Sequence, residues 1–351
     1  MTKDQIITEN YALYLSDCMY VMPSLGDNSI DFSVYSPPFA GLYNYSSHEN
    51  DFSNCETKEQ FLQQYEFLIA EISRVTKPGR ITAVHVTDII GKDGQLWDFP
   101  SEVKKLHEKH GFKHRNTITI WKEPLKVRMR TMVKSLMHKL VVEDATEVFT
   151  SMPDYVLIFK KNGENERPVE HTFGLTHYAG ELPLLPDHLD TYGLPLSQFP
   201  MQGNFGEWFY AYSNESFKSL QRKYAGWDDP KTNKLSHIIW QRYASSVWDD
   251  VRIDNVLPFR ESREEDDEKH VHPLQLDVID RLVELYSNPG EVVLTPFMGV
   301  GSEVFSPVSM GRKAIGIELK DSYFKQAALN CKEAEKRFKK ANQSQLFQLI
   351  E

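Results

Sequence analysis

Hydrophobic positions along the chain fall into two rhythms. Seven short runs rich in β-branched and aromatic residues, Tyr11–Leu15, Asp31–Tyr35, Arg80–Val86, Thr117–Trp121, Tyr155–Lys160, Glu291–Thr295 and Ala314–Leu319, read as strands. Each gives way to a polar or glycine-bearing turn, and several are followed by a stretch with helical spacing. That alternation predicts an α/β sheet. Lys58–Thr76 places Phe61, Leu62, Tyr65, Leu68, Ile69 and Ile72 on one helical face, with Lys77-Pro78-Gly79 as its stop signal. Leu274–Tyr286 repeats the pattern through Leu276, Val278, Ile279, Leu282 and Val283 and stops at Asn288-Pro289-Gly290. Both helices are expected to pack on the sheet, and a strongly charged helix is expected over Tyr323–Lys340.

The rhythm breaks between Asn162 and Arg260, where Pro, Gly and aromatic residues are frequent and periodicity is weak. This stretch reads as an inserted module, so the chain divides at 1–161, 162–260 and 261–351. The acidic run Glu261–Glu268 that follows reads as a solvated linker. No repeat at solenoid period is visible.

Composition narrows the class. Hydrophobic residues make up 40% and charged residues 26% of the 351, inside the range of folded globular chains and outside that of disordered ones. The longest uncharged apolar runs, such as Tyr155–Phe159 and Ala314–Ile317, fall far short of the ~20 residues that cross a bilayer. Met1-Thr2-Lys3-Asp4 lacks the basic-then-apolar signature of a secretory signal, so no membrane contact and a cytoplasmic address are expected. Cys18, Cys55 and Cys331 are odd in number and widely spaced, which supplies neither a disulfide framework nor a CxxC metal pair; no metal site is expected. Forty Lys+Arg against fifty Asp+Glu give a net charge of -10, which argues against a protein that coats nucleic acid non-specifically. A basic surface would have to be local, and one stretch qualifies: Lys122, Lys126, Arg128, Arg130, Lys134 and Lys139 stand against Glu123 alone. It suits phosphate contacts, or it is a solvated helix.

Three short motifs carry chemistry. Ser36-Pro37-Pro38-Phe39 follows the strand Asp31–Tyr35 directly. Two prolines cannot continue a central strand, so they make a stiff exit loop, whether as a terminator or as a platform. At the other end, the strand Glu291–Thr295 runs into Pro296-Phe297-Met298-Gly299-Val300-Gly301-Ser302 and a short helix, and the next strand ends at Glu318. Glycines there let backbone approach a ligand, and an acidic residue one strand on can accept ribose hydroxyls. Asp17, after the strand Tyr11–Leu15, is a helix N-cap or an acceptor for an adenine amino group. His85, with Thr87 and Asp88 beyond it, borders a pocket or is a satisfied core histidine, and Trp248-Asp249-Asp250 reads first as packing.

Together these pieces resemble the DNA amino-methyltransferases, which move a methyl group from S-adenosylmethionine to the exocyclic nitrogen of adenine or cytosine. In that family a (Ser/Asp/Asn)-Pro-Pro-(aromatic) tetrapeptide is catalytic, matched by Ser36, Pro37, Pro38 and Phe39. The cofactor loop Asp-Pro-Phe-x-Gly-x-Gly is matched by Thr295, Pro296, Phe297, Gly299 and Gly301, continued by Ser302, with Glu318 as the ribose partner. His272-Pro273-Leu274-Gln275 looks like the segment preceding that loop, so His272 and Gln275 join Asp17 as cofactor candidates. The resemblance implies the class I S-adenosylmethionine-dependent methyltransferase fold: α/β, a seven-stranded mostly parallel sheet, circularly permuted with the catalytic motif first, and 162–260 as an inserted target-recognition region. It makes 1–161 the catalytic half and 261–351 the cofactor-binding half. Thr295 departs from the family, which usually opens the loop with aspartate.

An exocyclic amine is a poor nucleophile because its lone pair is delocalised into the ring. By the resemblance, Ser36 Oγ and the Pro37 carbonyl would accept its two N–H groups and leave the lone pair facing the methyl, while Phe39 stacks on a base flipped from the duplex. Serine at the first position resembles the cytosine-N4 subgroup; adenine N6 is the alternative, and a DNA-binding subunit without turnover is the reading from another class, with Thr295 its only hint. Double-stranded DNA is the expected partner, a cognate restriction endonuclease a further candidate, and monomer or homodimer the expected state.

Overall fold

A computed structural model describes residues 2–38, 55, 57–90, 95–131, 136–170, 243–259, 262 and 273–348, with side chains up to 340 except at 130 and 131. All seven expected strands form and lie in one sheet: β2 (Tyr11–Leu15), β3 (Ile30–Tyr35), β4 (Thr76–Val86), β7 (Phe112–Ile120), β8 (Asp154–Lys161), β10 (Val292–Thr295) and β11 (Lys313–Glu318). Two short strands extend it at the edges, β1 (Asp4–Ile7) and β9 (Val247–Trp248), so the sheet has nine strands in the order β1-β2-β11-β10-β3-β4-β8-β7-β9. A separate hairpin pairs β5 (Ile89–Ile90) with β6 (Leu96–Trp97).

The central strands β2, β11, β10, β3 and β4 are mutually parallel, whereas β8 runs antiparallel to β4 and β7 antiparallel to β8. Both faces are covered, which is why these strands read as continuous apolar runs. One face packs Tyr35, Val84, Val86, Leu157 and Leu294 against α2 (Lys58–Val75) and α3 (Phe99–Lys109). The other packs Phe32, Val34, Ala83, Val156 and Val293 against α6 (Leu276–Tyr286). Between α3 and α6 the chain forms α4 (Pro124–Thr131) and α5 (Leu140–Glu143); beyond α6 come α7 (Ser302–Ser309) and α8 (Asp321–Gln348), the charged helix, longer than expected at both ends. At its N-terminus α1 (Cys18–Val21) follows β2.

Two local expectations change. Lys77-Pro78-Gly79 does end α2 at Val75, but it lies within the span of β4, not between elements. The ladder accommodates it by a bulge, with pairing stepping from Ile30↔Thr76 to Phe32↔Ile81. The basic segment is not one helix, since α4 and α5 are separate elements. Under the sheet's amino edge, Arg80 and Glu291, both buried, form an ion pair that joins β4 to the start of β10, and Arg80 Nε donates to the Asp31 carbonyl. Most of the inserted region, residues 171–242, lies outside the described residues. Among the described residues no helix is long and apolar enough to cross a membrane.

Candidate active site

Chain direction reverses its side-to-side progress between β10 and β3: from β10 the chain moves to β11 on one side, and from β3 to β4 on the other. Such a switch point opens a crevice at the carboxyl edge of a parallel sheet. Leu294 pairs with Ser33, so the loop that follows Thr295 and the diproline that follows Ser36 leave this edge side by side. Tyr35 and Phe297 meet edge-on at 6.1 Å between ring centroids. Two motifs far apart in sequence therefore share one crevice.

The end of β3, just ahead of Ser36, is fixed from below. Tyr35 Oη lies 3.1 Å from Tyr65 Oη and 3.2 Å from His107 Nε2. Burial pushes the His107 ring down to about 3, so it is neutral, and its Nδ1–H donates to the Val103 carbonyl at 2.8 Å. Nε2 is then an acceptor, Tyr35 donates to it, and Tyr65 donates to Tyr35. Ser36 itself is half-buried and Pro37 buried. Ser36 Oγ donates to the His85 carbonyl at 3.2 Å and lies 3.3 Å from His85 Nδ1. Phe39 lies outside the described residues.

His85 is the residue that sequence reasoning left undecided, and the structure brings it against Ser36 from β4. Its Nε2 stands 3.1 Å from Asp154 Oδ2. Asp154 opens β8, whose antiparallel course brings its first residue to the carboxyl edge of its neighbours. Burial alone would raise the Asp154 carboxyl, but the Lys122 ammonium at 2.5 Å and the His85 ring outweigh that and hold it well below the usual carboxylate range. Lys122, expected to meet phosphate, is thus engaged at the floor of the site. A cavity of about 240 Å³ opens beside this group, lined by Trp121, Lys122, Asp154, Asp250, Arg252 and Gln275 among others. Gln275, a cofactor candidate by sequence, lines this cavity and keeps a buried Oε1 without a partner among the described residues. Nothing in the sequence spacing marked Asp154, because its role depends on the pairing of β8.

The second half of the crevice is the glycine loop. Gly299 and Gly301 both have positive φ, 52° and 92°, and a Cβ on Gly301 would stand 3.1 Å from Ala327 Cβ and 3.3 Å from Cys331 Sγ in α8. Glycine is required there for both conformation and space. Glu318 Oε2 accepts from the Gly299 N–H and Oε1 from the Lys320 N–H, each at 2.8 Å. The Ser16 N–H donates to the Glu318 carbonyl at 2.8 Å, which sets the turn carrying Asp17 beside Glu318. Asp17 is the N-cap of α1, its Oδ1 accepting from the Met19 N–H at 2.8 Å, so the capping reading holds.

Two hydroxyls flank the loop buried and without partners among the described residues, Thr295 Oγ1 and Ser302 Oγ. Buried polar atoms are normally paired, so these fit a polar ligand arriving at the loop. With the carboxylate of Glu318, the left-handed glycines and Asp17 at one end, the residues present fit S-adenosylmethionine. His272 and Lys134 lie outside the described residues, as does the side chain of Arg130. Lys139 pairs with Glu143 at 3.2 Å on the surface, and Lys126 is exposed on α4. Trp248 is a core residue with the Arg281 guanidinium 5.0 Å above its ring, and Arg281 pairs with Asp250, which bears out packing for that corner.

Comparison with known proteins agrees with this geometry. The DNA methylase family profile N6_N4_Mtase matches residues 30–329. The Type II methyltransferase M.BglII of Bacillus subtilis is 24% identical over 313 residues, covering 89% of this chain; the chain spans 66% of that relative's length. Among solved structures, PvuII DNA methyltransferase (cytosine-N4-specific) superposes with a TM-score of 0.56 at 12% identity, over 97% of this chain and 95% of that one. TTHA0409 of Thermus thermophilus, a putative DNA modification methylase complexed with S-adenosyl-L-methionine, gives 0.54 at 19% identity, over 93% and 96%. The fold is therefore that of the class I methyltransferases, and the chain belongs to the DNA methylase family of S-adenosylmethionine-dependent N6-adenine and N4-cytosine methyltransferases.

Proposed function

We propose that this protein methylates the exocyclic amine of a base flipped from double-stranded DNA at a specific site, and that the base is cytosine, at N4. The observation that carries the reading is Ser36. Its hydroxyl hydrogen is directed to the His85 carbonyl, so its lone pairs are left to accept an N–H from the amine. S-adenosylmethionine supplies an electrophilic methyl on sulfonium. Ser36 and the Pro37 carbonyl orient the amine so that its lone pair leaves ring conjugation, Phe39 holds the base by stacking, and the glycine loop with Glu318 sets the donor in line. The Type II relationship of M.BglII extends this to protection of DNA from a cognate endonuclease. Within 162–260, the part ahead of β9 is assigned to target recognition, since β9 itself joins the sheet, and Lys126, Arg128 and Arg130 are assigned to phosphate contacts.

Unmethylated plasmid incubated with protein and S-adenosylmethionine, then digested to nucleosides and weighed by mass spectrometry, tests the reading. N4-methylcytosine is the expected product. N6-methyladenine would move the chain to the adenine subgroup, and no methylated nucleoside would leave it a binding subunit.

A further inference from the structure

Methylating a neutral amine leaves a proton to dispose of, and serine is no base. As the amine lone pair forms the N–CH3 bond, the S–CH3 electron pair returns to sulfur, and the nitrogen carries a positive charge with one hydrogen too many. A carboxylate at the head of the diproline would take that proton directly. Ser36 can only pass it on.

What stands behind Ser36 is a base with a fixed orientation. His85 Nδ1 is 3.3 Å from Ser36 Oγ, and its other nitrogen faces the Asp154 carboxylate at 3.1 Å. A carboxylate beside Nε2 favours the tautomer that carries hydrogen there and leaves the Nδ1 lone pair toward Ser36. Asp154 is kept anionic by Lys122 at 2.5 Å. These residues come from β4 near its end, the start of β8 and the segment just past β7, and share no sequence motif.

We propose that Ser36, His85 and Asp154 form a proton exit from the amine. In the resting site the Ser36 hydroxyl donates to the His85 carbonyl; the relay turns that hydrogen to His85 Nδ1, 3.3 Å from Oγ, and passes it there as the proton moves from nitrogen to Ser36 Oγ. The products are a neutral methylated amine, a neutral serine and an imidazolium facing Asp154. The ring is discharged to water through the cavity that Asp154 and Lys122 line. His85 does not touch the base; it is a positioning and relay residue acting through Ser36. His85 faces Asp154 on β8, which pairs with Lys122 beyond β7; the cavity these two line also carries Glu123, Lys126, Asp249, Asp250, Arg252 and Asp254, and Asp88 lies three residues beyond His85 in sequence. This rests on the catalytic reading of the diproline given above.

The test combines single-turnover methylation of unmethylated plasmid across pH with ring-nitrogen NMR of His85 in the full chain. Wild-type protein is expected to lose rate on the acid side, as the ring is protonated before it can accept. His85→Gln is expected to be about 100-fold slower, the low end for a positioned acid–base group, with the acid limb gone and S-adenosylmethionine affinity by calorimetry within twofold. Asp154→Asn should be slowed as well, with its acid limb moved to lower pH, because the anion that favours the imidazolium is removed. The wild-type NMR spectrum should show the Nε2–H tautomer above the limb. A wild-type rate with the acid limb intact in His85→Gln, while Ser36→Ala is inactive, would overturn the relay and leave the diproline's role standing. Full activity of Ser36→Ala would overturn both. Should His85→Gln fail to bind cofactor, the tautomer decides: an Nδ1–H ring in the active wild-type protein overturns the proposal.

Discussion

Glu318 Oε2 accepts the Gly299 backbone N–H at 2.8 Å, so the carboxylate expected to meet a ribose also holds the loop that approaches the ligand. The two functions are joined in one side chain. Glu318→Ala should weaken S-adenosylmethionine binding by about 1.5–3 kcal/mol, the range for hydrogen bonds to a charged group, with little change in unfolding midpoint because the residue sits at a strand end. Isothermal calorimetry measures this directly, and unchanged affinity would remove Glu318 from the site.

Gly301 offers a test of the loop that avoids the carboxylate. Gly301→Ala places a methyl 3.1 Å from Ala327 Cβ in a left-handed conformation. Strain and overpacking of this kind cost about 1–3 kcal/mol. Urea denaturation should show that loss, accompanied by weaker cofactor binding as the loop is displaced from α8. A variant as stable as the wild type would mean that the loop relaxes freely.

Ser36→Ala should depress single-turnover methyl transfer while leaving DNA affinity nearly unchanged, since its bond to the amine matters most as the nitrogen becomes tetrahedral. Phe39→Ala removes a stacking surface worth about 1–3 kcal/mol per base, and should reduce turnover far more than cofactor binding; Phe39→Tyr should retain substantial activity. Wild-type rates in both alanine variants would reduce the diproline to a strand terminator.

Glu303, buried in the first turn of α7, has its carboxyl raised to about 8 by burial, with the nearby Glu318 carboxylate adding to the shift. The fold therefore prefers the neutral acid and holds its proton to higher pH than the unfolded chain does. Its contribution is full below the ordinary value of 4.5 and is lost as pH rises toward about 8. Glu303→Gln should flatten stability across that window and raise it at pH 8–9, by an amount on the order of a few kcal/mol. Denaturant midpoints at a series of pH values check both slope and sign.

Charge reversal of Arg128 and Arg130 should weaken DNA binding and reduce the slope of log K against log salt by close to one unit per lost phosphate contact. Reversal at Lys122 should act differently, since its ammonium is paired with Asp154: catalysis should suffer and the salt slope should hold. An unchanged slope in the arginine variant would make α4 a solvated face.

Most of the fold and both motifs were legible from the chain alone, because each depends on neighbours in sequence. A buried parallel strand must be an apolar run, and a glycine turn after it must be glycine whatever lies elsewhere, so Ser33–Phe39 and Val292–Gly301 announce themselves. Trp248 resolved toward its plainer role, since a core ring is a local need too, and Asp17 caps α1 beside Glu318. The fold alone decided which strand ends meet. Leu294 pairs with Ser33 across most of the chain, and that register is what makes two motifs one crevice. It also decided that Lys122 turns inward and that His85 and Asp154 face each other. Antiparallel β8 delivers its first residue to the edge where β4 delivers one near its last, and no spacing along the sequence encodes that meeting. Local chemistry is written in residue order; the electrostatic partners of a buried charge are fixed only when strands choose their neighbours.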